Sequence, residues 1–165
     1  MKMMKMHWML LLFSGIFCLG MTSCADAEDG ESKDDWDIRN ALSTGIGSWQ
    51  TGEVKIDGVW YEDPLDGLTN PSPLYFTVKF SASKKTFESR KFFYKDGGEM
   101  GRVADESTSQ SYKGTYTLEN RVLVATRENG EKYFSMSILE KPSSVLHANV
   151  TFHDVNKTYE MKLHR

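Results

Sequence analysis

Cysteine is nearly absent from this 165-residue chain, which contains only Cys18 and Cys24. Because both lie among the first 24 residues, the rest of the chain has no thiol with which to form a disulfide. This excludes a disulfide-stapled fold, although small exported domains often use one. A domain built from the later residues must therefore depend on its hydrophobic core.

The chain also lacks a strong excess of charge of either sign. Its formal net charge is -3, and residues 38–165 contain 17 Lys and Arg against 16 Asp and Glu. A nucleic-acid-binding domain needs a basic stripe, and none is present. The sequence therefore predicts no nucleic-acid partner.

Motifs for catalysis and metal binding are missing as well. There is no glycine-rich phosphate loop, no nucleophile elbow and no recognisable pair of spaced carboxylates. The later histidines, His147, His153 and His164, do not have the close spacing of metal ligands. We expect no enzyme, no cofactor and no metal; an enzyme with catalytic residues dispersed over several strands is the alternative.

The N-terminus contains the first clear signal. Lys2 and Lys5 precede an apolar run at residues 8–19, which is followed by small residues. The run has about 12 residues, whereas a transmembrane helix needs about 20. Residues 1–23 are therefore predicted to be an export signal that is removed.

Residues 21–24, Met-Thr-Ser-Cys, resemble a bacterial lipobox. The resemblance implies that Cys24 carries a thioether-linked diacylglycerol and becomes the mature N-terminus, so that the protein stays on its membrane. The alternative is cleavage by the ordinary signal peptidase, which would give a secreted protein with a free thiol.

Residues 24–35 are acidic and almost free of apolar side chains, which is typical of a disordered tether. At about 3.5 Å per residue such a tether reaches roughly 35 to 40 Å. Acidic residues directly after the lipidated cysteine also resemble the surface-export signal of Bacteroidetes lipoproteins, which implies the outer face of the outer membrane. A plain spacer, with the protein on the periplasmic face, explains the same residues.

Residues 36–165 have the length and pattern of one all-β domain. A short helix is predicted at residues 36–42, ended by Gly45. Runs rich in β-branched and aromatic residues then recur between turn signals, of which Asn129-Gly130 is the sharpest. The strands are predicted at residues 47–56, 59–61, 74–80, 86–95, 112–118, 121–126, 133–139, 145–152 and 158–164. Residues 63–73 and 99–111 are predicted to be loops.

Eight or nine consecutive antiparallel strands, joined mostly by hairpins, favour an up-and-down β-barrel with a short N-terminal helix, because closure removes exposed strand edges. A two-sheet sandwich is the alternative.

Gly47-Ser48-Trp49, after a short helix and at the start of the first long strand, resembles the Gly-x-Trp signature of lipocalins. The resemblance covers most of residues 36–165 and is nearest to the lipocalin-like domain of Bacteroidetes lipoproteins. It implies that Trp49 closes one end of the barrel under a basic residue of the last strand. Arg165 shares the phase of Tyr159, Met161 and Leu163 and can place its guanidinium over the indole ring.

The abundant aromatic residues suggest a function. We expect most of them to be core, but a barrel can also hold a small ligand. One hypothesis is therefore binding of a small apolar or amphipathic ligand at the barrel mouth under the loop at residues 63–73. The candidate ligand-binding residues are Trp60, Tyr61, Phe76, Phe80, Phe93, Tyr116 and Tyr133.

The alternative hypothesis is a structural or interaction module of the envelope that binds a protein or glycan partner through its surface loops. Strand alternation fails at Phe92-Phe93-Tyr94, so one of these aromatic rings must face outward or cover a loop. This favours a contact surface there.

Overall fold

The computed structural model describes residues 30–45, 47–62, 73–97 and 102–165. The predicted signal peptide, Cys24 and residues 63–72 of the first predicted loop lie outside these ranges. Residues Glu31–Arg165 form one compact unit. Its elements are α1 (Lys33–Ser43), β1 (Trp49–Ile56), β2 (Val59–Glu62), β3 (Leu74–Ser81), β4 (Thr86–Asp96), β5 (Arg102–Glu119), β6 (Val122–Arg127), β7 (Lys132–Ile138), β8 (Val145–Phe152) and β9 (Lys157–His164).

The strands pair antiparallel in the order β2-β1-β3-β4-β5-β6-β7-β8-β9, and β1 also pairs with β9. This pairing closes eight strands into a barrel, with β2 as an additional strand on β1. The prediction of an all-β antiparallel barrel with a short N-terminal helix is confirmed, and the sandwich alternative is wrong.

Strand alternation decides which side chains enter the barrel. In β3, Leu74, Phe76, Val78 and Phe80 are buried, while the residues between them face outward. The last strand follows the same rule, since Tyr159, Met161 and Leu163 are buried. The period of two in the sequence therefore produces one continuous core inside the barrel.

The acidic segment before the helix differs from the prediction. Helix α1 begins at Lys33 rather than at residue 36, and Ser32 caps it by accepting a hydrogen bond from the Asp35 N–H. Arg39 is buried and makes a bidentate ion pair with Glu31. Residues 31–35, predicted to belong to the tether, are therefore part of the folded domain, because their charges have specific partners there.

The second predicted loop also needs correction. Most of residues 99–111 belongs to β5, an 18-residue strand that begins at Arg102. Its first part pairs with β4, from Phe93↔Asp105 to Asp96↔Arg102. The segment was mistaken for a loop because it is polar on both faces and lacks alternation.

The middle of β5 contains a bulge between Asp105 and Gln110. Side chains of the bulge bind backbone groups, since the Asp105 carboxylate accepts from the Ser107 N–H and the Thr108 hydroxyl accepts from the Phe93 N–H of β4. Pairing of β5 with β6 starts only at Gly114. In the part of the chain that the structure describes, residues 102–113 therefore have one strand edge outside the sheet.

Local backbone geometry requires glycine at two positions. Gly130 has φ +86° in the predicted Asn129-Gly130 hairpin, and the Asn129 side chain accepts from the Glu131 N–H. A Cβ atom at Gly114 would overlap the Thr126 carbonyl oxygen, at the position where the pairing of β6 with β7 is irregular. The first glycine is needed for the turn, and the second for close approach of two strands.

The barrel has two distinct ends. The closed end carries α1 and the turns β3–β4, β5–β6 and β7–β8. The mouth is the opposite end, with the turns β1–β2, β6–β7 and β8–β9.

Candidate functional site at the barrel mouth

The candidate ligand-binding aromatics fall into three places. Phe76, Phe80, Tyr116 and Tyr133 are buried inside the barrel, and Phe93 is partly buried against the same core. Trp60 and Tyr61 lie on β2, which is not one of the eight closed strands. The structure therefore gathers five of the seven candidates in the barrel and places two elsewhere.

The middle of the barrel is filled with aromatic side chains. Phe76 packs edge-to-face against Phe134 and Phe152, with ring centroids 5.3 and 5.0 Å apart, and Phe87 packs the same way on Phe134 at 5.3 Å. Such contacts add to the stability that burial itself provides. Phe76 and Phe134 are therefore packing residues that fill the centre of the barrel.

The closed end is sealed by the predicted pair. The Arg165 guanidinium carbon lies 4.0 Å from the centroid of the Trp49 ring, which is fully buried. The Trp49 Nε1–H donates to the Leu42 carbonyl, and Arg165 donates to the Ala41 carbonyl. The predicted contact of Arg165 with Trp49 is confirmed, and both side chains also hold α1 in place.

At the mouth, the inner face of the barrel changes from apolar to polar. Six polar or aromatic side chains from β4 to the β8–β9 turn face inward there, and we call them the polar layer. Its members are Lys91, Gln110, Tyr112, Arg127, Tyr133 and Asp154.

Lys91 is the most unusual residue of the polar layer, because its side chain is only 1% exposed. Its Nζ atom donates to the Asp154 carboxylate at 2.6 Å and lies 4.7 Å from the centroid of the Phe152 ring. Burial lowers the pKa of Lys91, and the hydrogen bond and charge of Asp154 oppose this shift. A buried cation thus depends on one carboxylate.

Arg127 brings a second cation into the polar layer. Its guanidinium carbon lies 3.9 Å from the centroid of the Tyr112 ring and 4.9 Å from that of Tyr133. Its nearest carboxylate, Glu131, is 3.4 Å away and 66% exposed. The charge of Arg127 also contributes to lowering the pKa of Lys91, so the two cations act on each other.

Three polar atoms of the polar layer are buried without a hydrogen-bond partner in the described residues: Tyr133 Oη, Arg127 Nε and Gln110 Oε1. Asn40 Nδ2, in α1, is the fourth such atom. Burial, together with Asp154 and Tyr112, raises the pKa of Tyr133, while the charge of Arg127 and a contact with the Ser89 hydroxyl oppose the rise. Its hydroxyl is therefore a neutral donor. Buried polar atoms normally have partners, so this concentration at the mouth marks the candidate site.

Sequence reasoning found Tyr133 but missed the other members of the polar layer. A signal for Lys91 was available, because it shares the inward phase of Phe87 and Ser89 on β4. Asp154 gave no such signal, since it lies in a turn 63 residues away from Lys91.

The outer face of β3 and β4 carries the aromatic ring that was expected to face outward. Phe92 stacks on Tyr75 with centroids 4.8 Å apart, and Tyr94 and Arg90 also contact its ring. Beside this outer aromatic patch is a shallow, open depression of about 330 Å³, lined by residues that include Thr77 and Arg90.

Trp60 covers a group of charges outside the barrel. The Nζ atoms of Lys162 and Lys55 lie 4.5 and 5.4 Å from the centroid of its ring, and these lysines pair with Glu53 and Glu160. This arrangement gives Trp60 a packing role on the outside of the sheet.

The described residues contain no group of three or more His, Cys, Asp or Glu placed to hold a metal ion. Within the same ranges, no helix combines the length and apolar character needed to cross a bilayer.

No family model and no curated protein matches the chain. Among solved structures, it is similar to the NMR structure of a protein from Bacteroides uniformis ATCC 8492, with 14% identity and a TM-score of 0.43. The match covers 77% of this chain and 90% of that chain.

Proposed function

We propose that this protein is a lipocalin-like lipoprotein, anchored to the outer membrane through Cys24, that binds a small amphipathic ligand at its barrel mouth. The proposed role is binding without catalysis. The observation that carries it is the polar layer, where three buried polar atoms have no partner in the described protein. Leaving such groups unsatisfied costs about 1 to 3 kcal/mol each, so a ligand that satisfies them gains affinity.

The site of binding follows from the packing of the barrel. Aromatic side chains fill its middle, so the ligand has its place at the mouth rather than in a deep cavity. The side chains of Asp154 and Arg127 are 15% and 17% exposed, which makes the rim of the polar layer reachable from solvent.

The anchor is proposed at Cys24, seven residues before the folded unit begins at Glu31. Within the described residues, α1 lies at the closed end of the barrel and the mouth is at the opposite end. Protease treatment of intact cells distinguishes the proposed cell-surface location from the periplasmic face.

Native mass spectrometry of the lipoprotein purified from its own host tests ligand binding. We expect an additional mass that is lost in a Tyr133→Phe, Arg127→Met variant. The matched control is Tyr94→Phe, Arg90→Met, which changes the same types of group on the outside of β4. Protein that carries no additional mass, or loses it equally in the control, contradicts the proposal.

A second candidate function is binding of an envelope protein or glycan, which the outer aromatic patch favours. On the outside of the barrel, Tyr75 stacks on Phe92 and Tyr94 packs edge-on against the same ring, beside a shallow depression. Pull-down with the anchored protein and with a Tyr75→Ser, Tyr94→Ser variant tests it. A stoichiometric partner lost in the variant supports this candidate, and a partner retained by the variant contradicts it.

A further inference from the structure

The polar layer has more positive than negative charge. Lys91 and Arg127 both reach into it, whereas Asp154 is its only carboxylate. Glu131, next to Arg127, is largely exposed, so solvent weakens its interaction. The buried charges therefore favour an additional anion over a neutral molecule or a cation.

The free hydrogen-bonding atoms favour the same ligand. Tyr133 Oη and Arg127 Nε are donors without a partner in the described protein, and a carboxylate accepts from both kinds of donor. The Gln110 amide, if turned over, presents its NH₂ group instead of Oε1, because its two ends have nearly the same shape. All three groups are then hydrogen-bond donors, which suits an anionic ligand.

Asp154 already shows how Lys91 holds a carboxylate. The two side chains meet at 2.6 Å although Asp154 comes from the β8–β9 turn, on the surface of the barrel. A carboxylate from a turn is the part of this pair that can move outward without disturbing a strand. Lys91, by contrast, is fixed inside β4.

We propose that the polar layer is an anion site for a short monocarboxylate, and that the Asp154 carboxylate holds the place at Lys91 that the ligand carboxylate takes. This inference rests on the proposed function, because it names the ligand class of the same mouth. The apolar part of the ligand stays at the rim beside Phe93, since the rings of Phe134 and Phe152 occupy the space below.

Isothermal titration calorimetry tests the inference with hexanoate, hexanol and hexylamine as probes. The protein is the mature lipoprotein held in phosphatidylcholine nanodiscs, and empty nanodiscs correct for partition of the probes into lipid. We expect hexanoate to bind and hexylamine not to bind. Lys91→Met should weaken hexanoate binding more than about tenfold, as loss of a buried charge partner does. The control Lys79→Met, on the outer face of β3, should leave it unchanged.

Asp154→Asn sharpens the test, because it removes the competing carboxylate without changing the size of the side chain. We expect it to strengthen hexanoate binding several-fold and to leave hexanol unaffected. Tyr133→Phe, which keeps the packing of the ring, provides a second variant if Asp154→Asn does not fold. It should weaken hexanoate several-fold and leave hexanol unaffected.

The outcomes distinguish failure of the anion site from failure of the proposed ligand binding at the mouth. Equal binding of hexanoate and hexanol overturns the anion site and leaves ligand binding at the mouth intact. Hexanoate binding that Lys91→Met does not weaken also overturns it. If no probe binds and protein from the host carries no additional mass, the results contradict both the anion site and the proposed function.

Discussion

The closed end of the barrel gives its buried polar groups more partners than the mouth does. At the closed end, Asp35 accepts hydrogen bonds from the N–H groups of Asn120 and Arg121, both at 2.9 Å, and Arg39 forms a bidentate pair with Glu31. At the mouth, three buried polar atoms lack partners in the described protein and two cations face one carboxylate. The buried polar groups of the closed end thus stabilise the fold through their partners. The mouth contains buried polar groups that the fold itself does not satisfy.

The largest effect on stability is expected at the closed end, from Trp49→Ala. The ring is fully buried between α1 and the barrel, so its loss leaves a cavity and should lower the free energy of unfolding by about 3 to 5 kcal/mol. Urea denaturation measures the change. Trp60→Ala, outside the barrel, is the matched control and should cost much less; equal losses would contradict the assignment of Trp49 as the closing residue.

The next largest effect should come from the mouth. Asp154→Asn leaves Lys91 buried without a charged partner and is expected to lower the free energy of unfolding by about 2 to 3 kcal/mol. Adding Lys91→Met should recover most of this loss, because the double variant has no unpaired charge. If the double variant is less stable than Asp154→Asn alone, the ion pair does not explain the effect.

Asp35→Asn should have a smaller and pH-dependent effect. Burial alone would raise the pKa of the Asp35 carboxyl, but the N–H groups of Arg121 and Asn120 and the Ser32 hydroxyl hold it below its ordinary value. A lowered folded-state pKa means that its contribution is complete above about pH 4 and is lost as the pH falls through that pKa.

We therefore expect Asp35→Asn to cost about 1 to 2 kcal/mol at pH 7 and the difference from the unmodified protein to shrink below about pH 4. Thermal unfolding at pH 3 to 8 measures this. Asp37→Asn, on the same helix but paired only with exposed lysines, is the control and should change little. A difference that stays constant down to pH 3 would exclude a role for the Asp35 charge.

The smallest effect is expected from Arg165→Met, which removes the cation above Trp49. Cation–π contacts at exposed positions contribute about 0.5 to 1 kcal/mol, and the variant also loses a hydrogen bond to Ala41. Chemical denaturation should resolve this loss, and Arg165→Lys should recover part of it. Hexanoate binding should not change in either variant, since the mouth is at the other end.

Much of the fold was predictable because it follows from local patterns. Alternation on β3 and β9 predicted the inward residues, and the resemblance to lipocalins, together with the phase of Arg165 on the last strand, predicted its contact with Trp49. The start of α1 was missed because acidic residues were interpreted as a tether. Ser32 and Asp35 have the spacing of a helix N-cap pair, which was the signal to use.

The candidate site was much less predictable than the fold. Aromatic content pointed to Phe76 and Phe80, which the structure assigns to packing. The site depends instead on Lys91, Arg127 and Asp154, which lie on separate strands and turns. In the sequence, a charged residue at an inward position only interrupts the alternation of apolar residues, because its partner is not known. The charged residues and their partners come together only when the barrel closes.

The bulge in β5 has a consequence for association between copies of the chain. A regular open strand edge is a template on which the same edge of another copy can pair. Residues 106–109 interrupt that regularity, because Asp105 and Thr108 make hydrogen bonds within β5 and to β4. We therefore expect the bulge to disfavour the joining of two barrels into a shared sheet.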